Sequence, residues 1–183
     1  SQQDKYPLNW VTCSEAQILA SKAGVNGHSG SLMFGIQWDL VQKYIEAKAV
    51  AQGTAIGTIQ SQLKTNSTSW GNYSSSMYDI TNENAKYSTN NGGTWLPTPY
   101  NKTSAGHILL TTRASESFAK QNIFDLAGNV WEWTLEYSAN TDNPCTIRGG
   151  AYESTSSENN VNYRNNGYGT FSYYSIGFRV TIY

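Results

Sequence analysis

The longest stretch of this chain without a helical or strand-like pattern, residues 54–106, is rich in Ser, Thr, Asn and Gly, with single aromatics at Trp70, Tyr73, Tyr78, Trp95 and Tyr100. Structureless loops beyond about 12–15 residues are uncommon in compact domains unless they serve a function. Rings spaced in this way act as pegs that fasten irregular backbone to a core, so the stretch reads as ordered coil. The chain therefore has to fold around irregular backbone. Hydrophobic content of 38% is low while six Trp and thirteen Tyr are many, so aromatic rings must supply much of the burial.

A chain of 183 residues is long enough for a single domain over 1–183 with a real core. Its net charge of −1 offers no electrostatic footprint for a polyanion, which argues against nucleic acid as a partner. No apolar run approaches the length of a membrane span, and SQQDKYPLNW lacks a basic-then-apolar signal layout, so no membrane insertion is expected in this segment. Cys13 and Cys145 could form one bridge or stay buried as small hydrophobes. Three sequons, at Asn66, Asn72 and Asn101, are expected by chance at this content of Asn, Ser and Thr.

Two helices are predicted. Thr12-Cys13-Ser14-Glu15 fits a capping box, with Ala16, Leu19, Ala20 and Ala23 on one face after it and Gly24 as a left-handed stop. A second helix starts near Ile36, after the strand-like SLMFG, with Trp38, Val41, Tyr44, Ile45 and Ala49 as its inward stripe and Gly53 as its stop. At the other end, alternation over residues 177–183 puts Phe178, Val180 and Ile182 on one face of a half-buried strand. The class is α+β, with two helices, small antiparallel sheets and much ordered coil.

Residues 150–175 read GAYESTSSENNVNYRNNGYGTFSYYS. Tyr, Ser, Asn and Gly fill 18 of these 26 positions and Lys is absent, which is the residue economy of a paratope. Tyr gives large rigid contact area, while Ser, Asn and Gly give adaptable hydrogen bonding. Framework-like CTIRGG before the stretch and SIGFRVTIY after it distinguish it from a disordered tail. The candidate ligand contacts are Tyr152, Ser154, Asn159, Asn160, Tyr163, Asn165, Asn166, Tyr168, Phe171, Tyr173 and Tyr174, with the aromatics as anchors.

The string NIFDLAGNVWEW, then RGG at 148–150, then GFRV at 177–180, resembles the formylglycine-generating-enzyme (sulfatase-modifying factor) branch of the C-type lectin fold. YPLNWVTCSEAQ is similar to that family's first strand and helix. The resemblance implies a C-type lectin-like fold of the formylglycine-generating-enzyme type over nearly the whole chain. The enzymes of this branch hold copper with two Cys soon after RGG, and the matching positions here are Ser154 and Asn159, neither of which replaces a thiolate. The iron-dependent relatives need a His cluster, and this chain has only His28 and His107. No catalysis is expected.

The framework also resembles the variable proteins of diversity-generating retroelements, in which a C-type lectin fold displays a mutated carboxy-terminal segment. That resemblance implies a non-catalytic receptor-recognition protein with 151–175 as the variable ligand-binding segment and a protein or glycan on a cell surface as partner. It also implies a location that is extracellular, on a cell surface or on a virion such as a phage tail. The alternatives are a formylglycine-generating-enzyme-like oxidoreductase and an invariant structural module of a surface or tail protein. Residues 125–132 resemble a calcium loop of the enzyme family, with the Asp125 and Glu132 side chains and the Gly128 and Val130 carbonyls as ligands, so a structural calcium ion is an expectation. No other cofactor is expected. Arg148 and Arg179, as framework residues, are expected to tie loops to carbonyls or an acidic partner, and Arg164 to support the display segment from beneath.

Overall fold

The computed structural model describes residues 3–183. Helix α1 (Cys13–Ser21) begins where expected, and both halves of the capping box form: Thr12 Oγ1 accepts the Glu15 amide at 3.2 Å, and Glu15 accepts the Thr12 amide at 2.9 Å. Strand β1 (Gly30–Leu32) leads into α2 (Gly35–Ala51), which Gly53 ends at φ +92°. Gly24 is no left-handed stop. It matters as a close approach, because a Cβ there would lie 2.2 Å from the His28 carbonyl oxygen. Trp38 and Ile45 of α2 are buried, and Val41 and Ala49 are half-buried against them. Tyr44, expected in that stripe, is 47% exposed.

A third helix, α3 (Ile56–Lys64), lies inside the stretch read as coil. Ile59 and Leu63, one turn apart, are its buried residues and pack against α2. The rest of that stretch is coil with short strands: β2 (Tyr78–Ile80), β3 (Lys86–Ser88), β4 (Leu96–Pro97) and β5 (Tyr100–Lys102), followed by β6 (Leu109–Leu110). The aromatic pegs hold as expected at Trp70 and Tyr73, which are buried, and at Tyr78 and Tyr100, which pack into the cluster of Ile80, Ile108, Leu110 and Phe118. Trp95 is different, since it packs in a tilted arrangement against exposed Tyr6, with ring centroids 4.6 Å apart.

The sheet that positions the carboxy-terminal segment is built from β7 (Trp131–Tyr137), β8 (Cys145–Arg148), β9 (Arg164–Gly167) and β10 (Ile176–Phe178), in the order β10-β7-β8-β9. β7–β8 and β8–β9 are antiparallel, but β10 runs parallel to β7, so the expectation of antiparallel sheets fails at that edge. Alternation along β7 explains the Trp-Glu-Trp motif. Trp131 and Trp133 enter one core with Val11, Cys13, Ala16 and Ile147, and Glu132 points to the opposite face. The Trp133 indole donates to the Val11 carbonyl at 2.9 Å, so its ring is fixed as well as buried.

The terminal strand breaks in two. β10 ends at Phe178, and β11 (Val180–Ile182) pairs antiparallel with β1. Phe178 and Val180 pack on the core as expected, whereas Ile182 is 51% exposed. Arg179 sits at the break and turns its guanidinium to Glu132 (2.8 Å to each oxygen) and to the Phe124 and Asp125 carbonyls, both at 3.1 Å. These bonds draw the backbone out of a continuous ladder. Among the described residues, no helix is long and apolar enough to cross a membrane.

Candidate ligand-binding surface

The RGG motif leads into residues 151–175, the segment that carries the candidate contacts. Arg148 has a fully buried side chain that donates to Glu136 at 3.0 Å, Asp39 at 3.0 Å and the Asn162 carbonyl at 3.3 Å. Arg164, its partner across β8–β9, reaches the same two carboxylates from the solvent side. This network ties α2, β7 and the segment together, with Arg148 beneath it and Arg164, which was expected there, on the exposed side instead. Gly149 and Gly150 then turn at φ +94° and +77°. The buried Tyr73 hydroxyl donates to the Gly149 carbonyl at 2.8 Å and locks the turn.

Beyond the turn, buried anchors recur. Tyr152, Ser156, Asn160, Val161, Gly167 and Ser175 face inward. The Tyr152 hydroxyl donates to Asn91 at 2.6 Å, and burial pushes its pKa up. Ser156 donates to Asn66 at 2.7 Å, Asn160 to the Lys64 carbonyl at 3.0 Å, and the Val161 amide to Ser67 at 3.0 Å. A Cβ on Gly167 would lie 2.6 Å from the Trp133 ring, so the chain passes directly over the core there. The segment has little regular structure of its own, yet it is tied to α3, to residues 66–67 and to the sheet at every few residues.

The predicted contacts therefore separate into two groups. Tyr152 and Asn160 are buried supports, so they cannot touch a ligand in this conformation. Tyr163, Asn166, Tyr168 and Phe171 are exposed, while Ser154, Asn159, Asn165, Tyr173 and Tyr174 are half-buried. Phe171 stacks on Tyr173 at 5.4 Å, and Tyr173 lies 3.9 Å from Tyr174, its hydroxyl bonded to that of Tyr174 at 2.7 Å. Trp10 joins this group, 6.3 Å from the ring of Tyr173 and 5.9 Å from that of Tyr174. Sequence reasoning missed Trp10, because nothing local marks a residue that reaches the display segment from the opposite end of the chain.

Ser154 and Asn159 offer neutral oxygen and nitrogen atoms, which do not fit monovalent copper. The two thiols lie elsewhere, on α1 and β8, where burial and then the neighbouring Cys145 thiol push Cys13 up to about 12. Two of the expected calcium donors are already engaged with the protein. Both Glu132 oxygens are taken by Arg179, and Asp125 accepts the Arg113 amide at 2.8 Å while burial raises its pKa. Gly128 and Val130 lie beside these residues, with Val130 and Glu132 lining one small cavity and Gly128 bonded through its amide to the Gly149 carbonyl. The cation that this loop faces is the guanidinium of Arg179, as expected for a framework arginine.

A family model for the sulfatase-modifying factor enzyme 1-like domain matches residues 1–182. The chain belongs to that family. Its fold is the C-type lectin-like fold of the formylglycine-generating-enzyme type, with three α-helices where two were predicted. Two solved structures share it. CarF matches with a TM-score of 0.59 at 15% identity, over 96% of this chain and 67% of CarF. Treponema denticola variable protein 1 matches with a TM-score of 0.55, also at 15% identity, over 98% of this chain and 72% of that protein. No curated protein sequence matches.

Proposed function

We propose that this family member is a non-catalytic recognition protein of the variable-protein kind, presenting residues 151–175 to a protein or glycan on a cell surface. One observation carries the reading: exposed Tyr163, Asn166, Tyr168 and Phe171 lie between buried anchors at Val161, Gly167 and Ser175, so the backbone is held while the side chains are free to be exchanged. A segment fixed before binding loses little backbone entropy on association. Rings and amides then supply the contact area and the adaptable hydrogen bonds. The likeness in fold to a protein titled a variable protein supports the same reading. Ser154 and Asn159 in place of thiols speak against copper oxidase chemistry.

In this reading the contacts are Ser154, Asn159, Tyr163, Asn165, Asn166, Tyr168, Phe171, Tyr173 and Tyr174, with Tyr152 and Asn160 as supports. The protein acts outside the cell, on a cell surface or on a virion. The test is attachment to the surface proteins and glycans of candidate host cells, comparing the wild type with a Tyr163→Ala, Tyr168→Ala, Phe171→Ala variant. Loss of attachment at an unchanged melting temperature is expected, because all three side chains are exposed. A variant that attaches as the wild type does, or a measured turnover with a Cys-containing peptide and copper, refutes the proposal. At the DNA level, the coding stretch for 151–175 should have a near-copy differing at adenines beside a reverse transcriptase gene.

A further inference from the structure

We propose that Tyr6, Asn9, Trp10, Asn90, Asn91 and Trp95 form a second recognition subsite, outside residues 151–175, which takes a neutral sugar unit of a glycan. The inference rests on the recognition reading above and adds a ligand class to it. These residues, with Pro7, Gly92 and Gly93, line a surface groove of about 490 Å³, within the range of small-molecule sites. Three aromatic residues and three Asn line it, and none of the lining residues carries a charge. The Asn90 carboxamide is bonded to Ser88 and Thr94, whereas Asn9 and Asn91 each show a bond to the fold through one amide atom, Nδ2 of Asn9 and Oδ1 of Asn91. A pyranose ring has one face of C–H bonds and a rim of hydroxyls that both donate and accept. Ring faces suit the first, and carboxamides, which also donate and accept, suit the second.

The groove is built rather than incidental. Trp10 is 57% exposed while its backbone holds φ +59°, a conformation that residues with a Cβ rarely adopt. That conformation is fixed by the display segment itself, through the Trp10 amide to the Tyr173 carbonyl at 3.1 Å and the Asn9 carboxamide to the Tyr174 carbonyl at 2.5 Å. Opposite, Tyr6 and Trp95 pack at 4.6 Å, and Lys86 Nζ bonds the Tyr6 hydroxyl at 3.3 Å, which orients that ring. Asn91, at φ +60°, accepts the hydroxyl of buried Tyr152. The wall of the groove is thus anchored to the root of the display segment, and Trp10 joins the groove to the Tyr173–Tyr174 pair without a break. A groove continuous with the recognition surface, whose lining residues are all uncharged and whose nearest cation, Lys86, is spent on the Tyr6 hydroxyl, fits an uncharged glycan.

The experiment titrates the protein with neutral oligosaccharides built from glucose, mannose, galactose, xylose and N-acetylglucosamine, alongside sialylated and sulfated ones. The indole Nε1–H signals of Trp10 and Trp95 are followed by NMR. At least one neutral sugar should shift both signals saturably, and Trp95→Ala and Trp10→Ala should each weaken its binding about tenfold or more. If one variant fails to fold, the other carries the test, because Trp95 and Trp10 belong to different segments. No shift with any neutral sugar, a response to charged glycans alone, or binding indifferent to both substitutions overturns the subsite. Attachment that still depends on Tyr163, Tyr168 and Phe171 would in that case leave the recognition reading standing.

Discussion

Gly150 gives the sharpest test of why the display segment starts where it does. Its φ is +77°, and a Cβ there would lie 2.4 Å from the Asn159 carbonyl oxygen and 2.7 Å from Tyr73 Cε1. Tyr73 cannot swing away, being fully buried with its hydroxyl bonded to Gly149. Gly150→Ala therefore meets two costs: roughly 1–2 kcal/mol for a left-handed residue with a Cβ, and roughly 1–3 kcal/mol for overpacking. Gly53 offers an internal control. Its φ of +92° imposes the same backbone cost, but nothing lies within 4 Å of the added Cβ. At about 2–4 °C per kcal/mol for a chain of this size, Gly53→Ala should melt about 4 °C below the wild type and Gly150→Ala about 10 °C below it. Thermal unfolding followed by circular dichroism at fixed protein concentration reads both. If the two variants melt within about 2 °C of each other, the claim that packing around Gly150 fixes the turn is refuted.

Four further outcomes are expected. Arg179→Gln leaves the Glu132 side chain, 8% exposed, without its partner and should cost about 3–5 kcal/mol in urea unfolding. Because Arg179 supplies the cation, chelator and added calcium should leave the wild-type melting curve unchanged, and a fall with chelator would reinstate the ion. With Cys13 and Cys145 adjacent in the core, oxidised glutathione should join them, seen as a mass lower by two hydrogens. Closing so long a loop should stabilise by roughly 5 kcal/mol in the chain-entropy account, and thiols that stay free would refute the pairing. Lys102 donates to the Tyr73 and Ser74 carbonyls, and burial lowers its pKa from 10.5 to about 8. Between those values the unfolded chain holds a proton that the folded chain has released, so stability should rise with pH across that window, by at most about 1.4 kcal/mol per unit. Lys102→Met should flatten that rise, and a slope unchanged by the substitution would count against the shift.

Local signals in the sequence were sufficient for several elements, and each has a short-range cause. The Thr12–Glu15 box set the start of α1 because both partners lie within one turn, and Gly53 ended α2 because only its own φ was at stake. The α3 helix was legible in principle from Ile59 and Leu63 one turn apart, but its Ser, Thr and Gln surroundings mask so short a stripe. The richness of residues 150–175 in rigid rings and adaptable amides was legible from composition, since it is a choice of residue types. What composition could not give was which of those residues face out.

That division was decided by contacts far apart along the chain. Tyr152 is buried because Asn91 waits for its hydroxyl, and Asn160 because the end of α3 offers the Lys64 carbonyl. The terminal strand breaks because Glu132 and two carbonyls of the 124–125 turn capture Arg179 from another element. Trp10 reaches the Tyr173–Tyr174 pair because the carbonyls of those two residues hold its neighbourhood from the far end of the chain. The amino-acid sequence alone settled the framework motifs, the first two helices and the residue types of segment 151–175, all of which are read from neighbours within a few residues. Tertiary structure alone settled burial, the break at Arg179 and the groove beside Trp10, because each is a matter of which distant groups meet when the chain closes on itself.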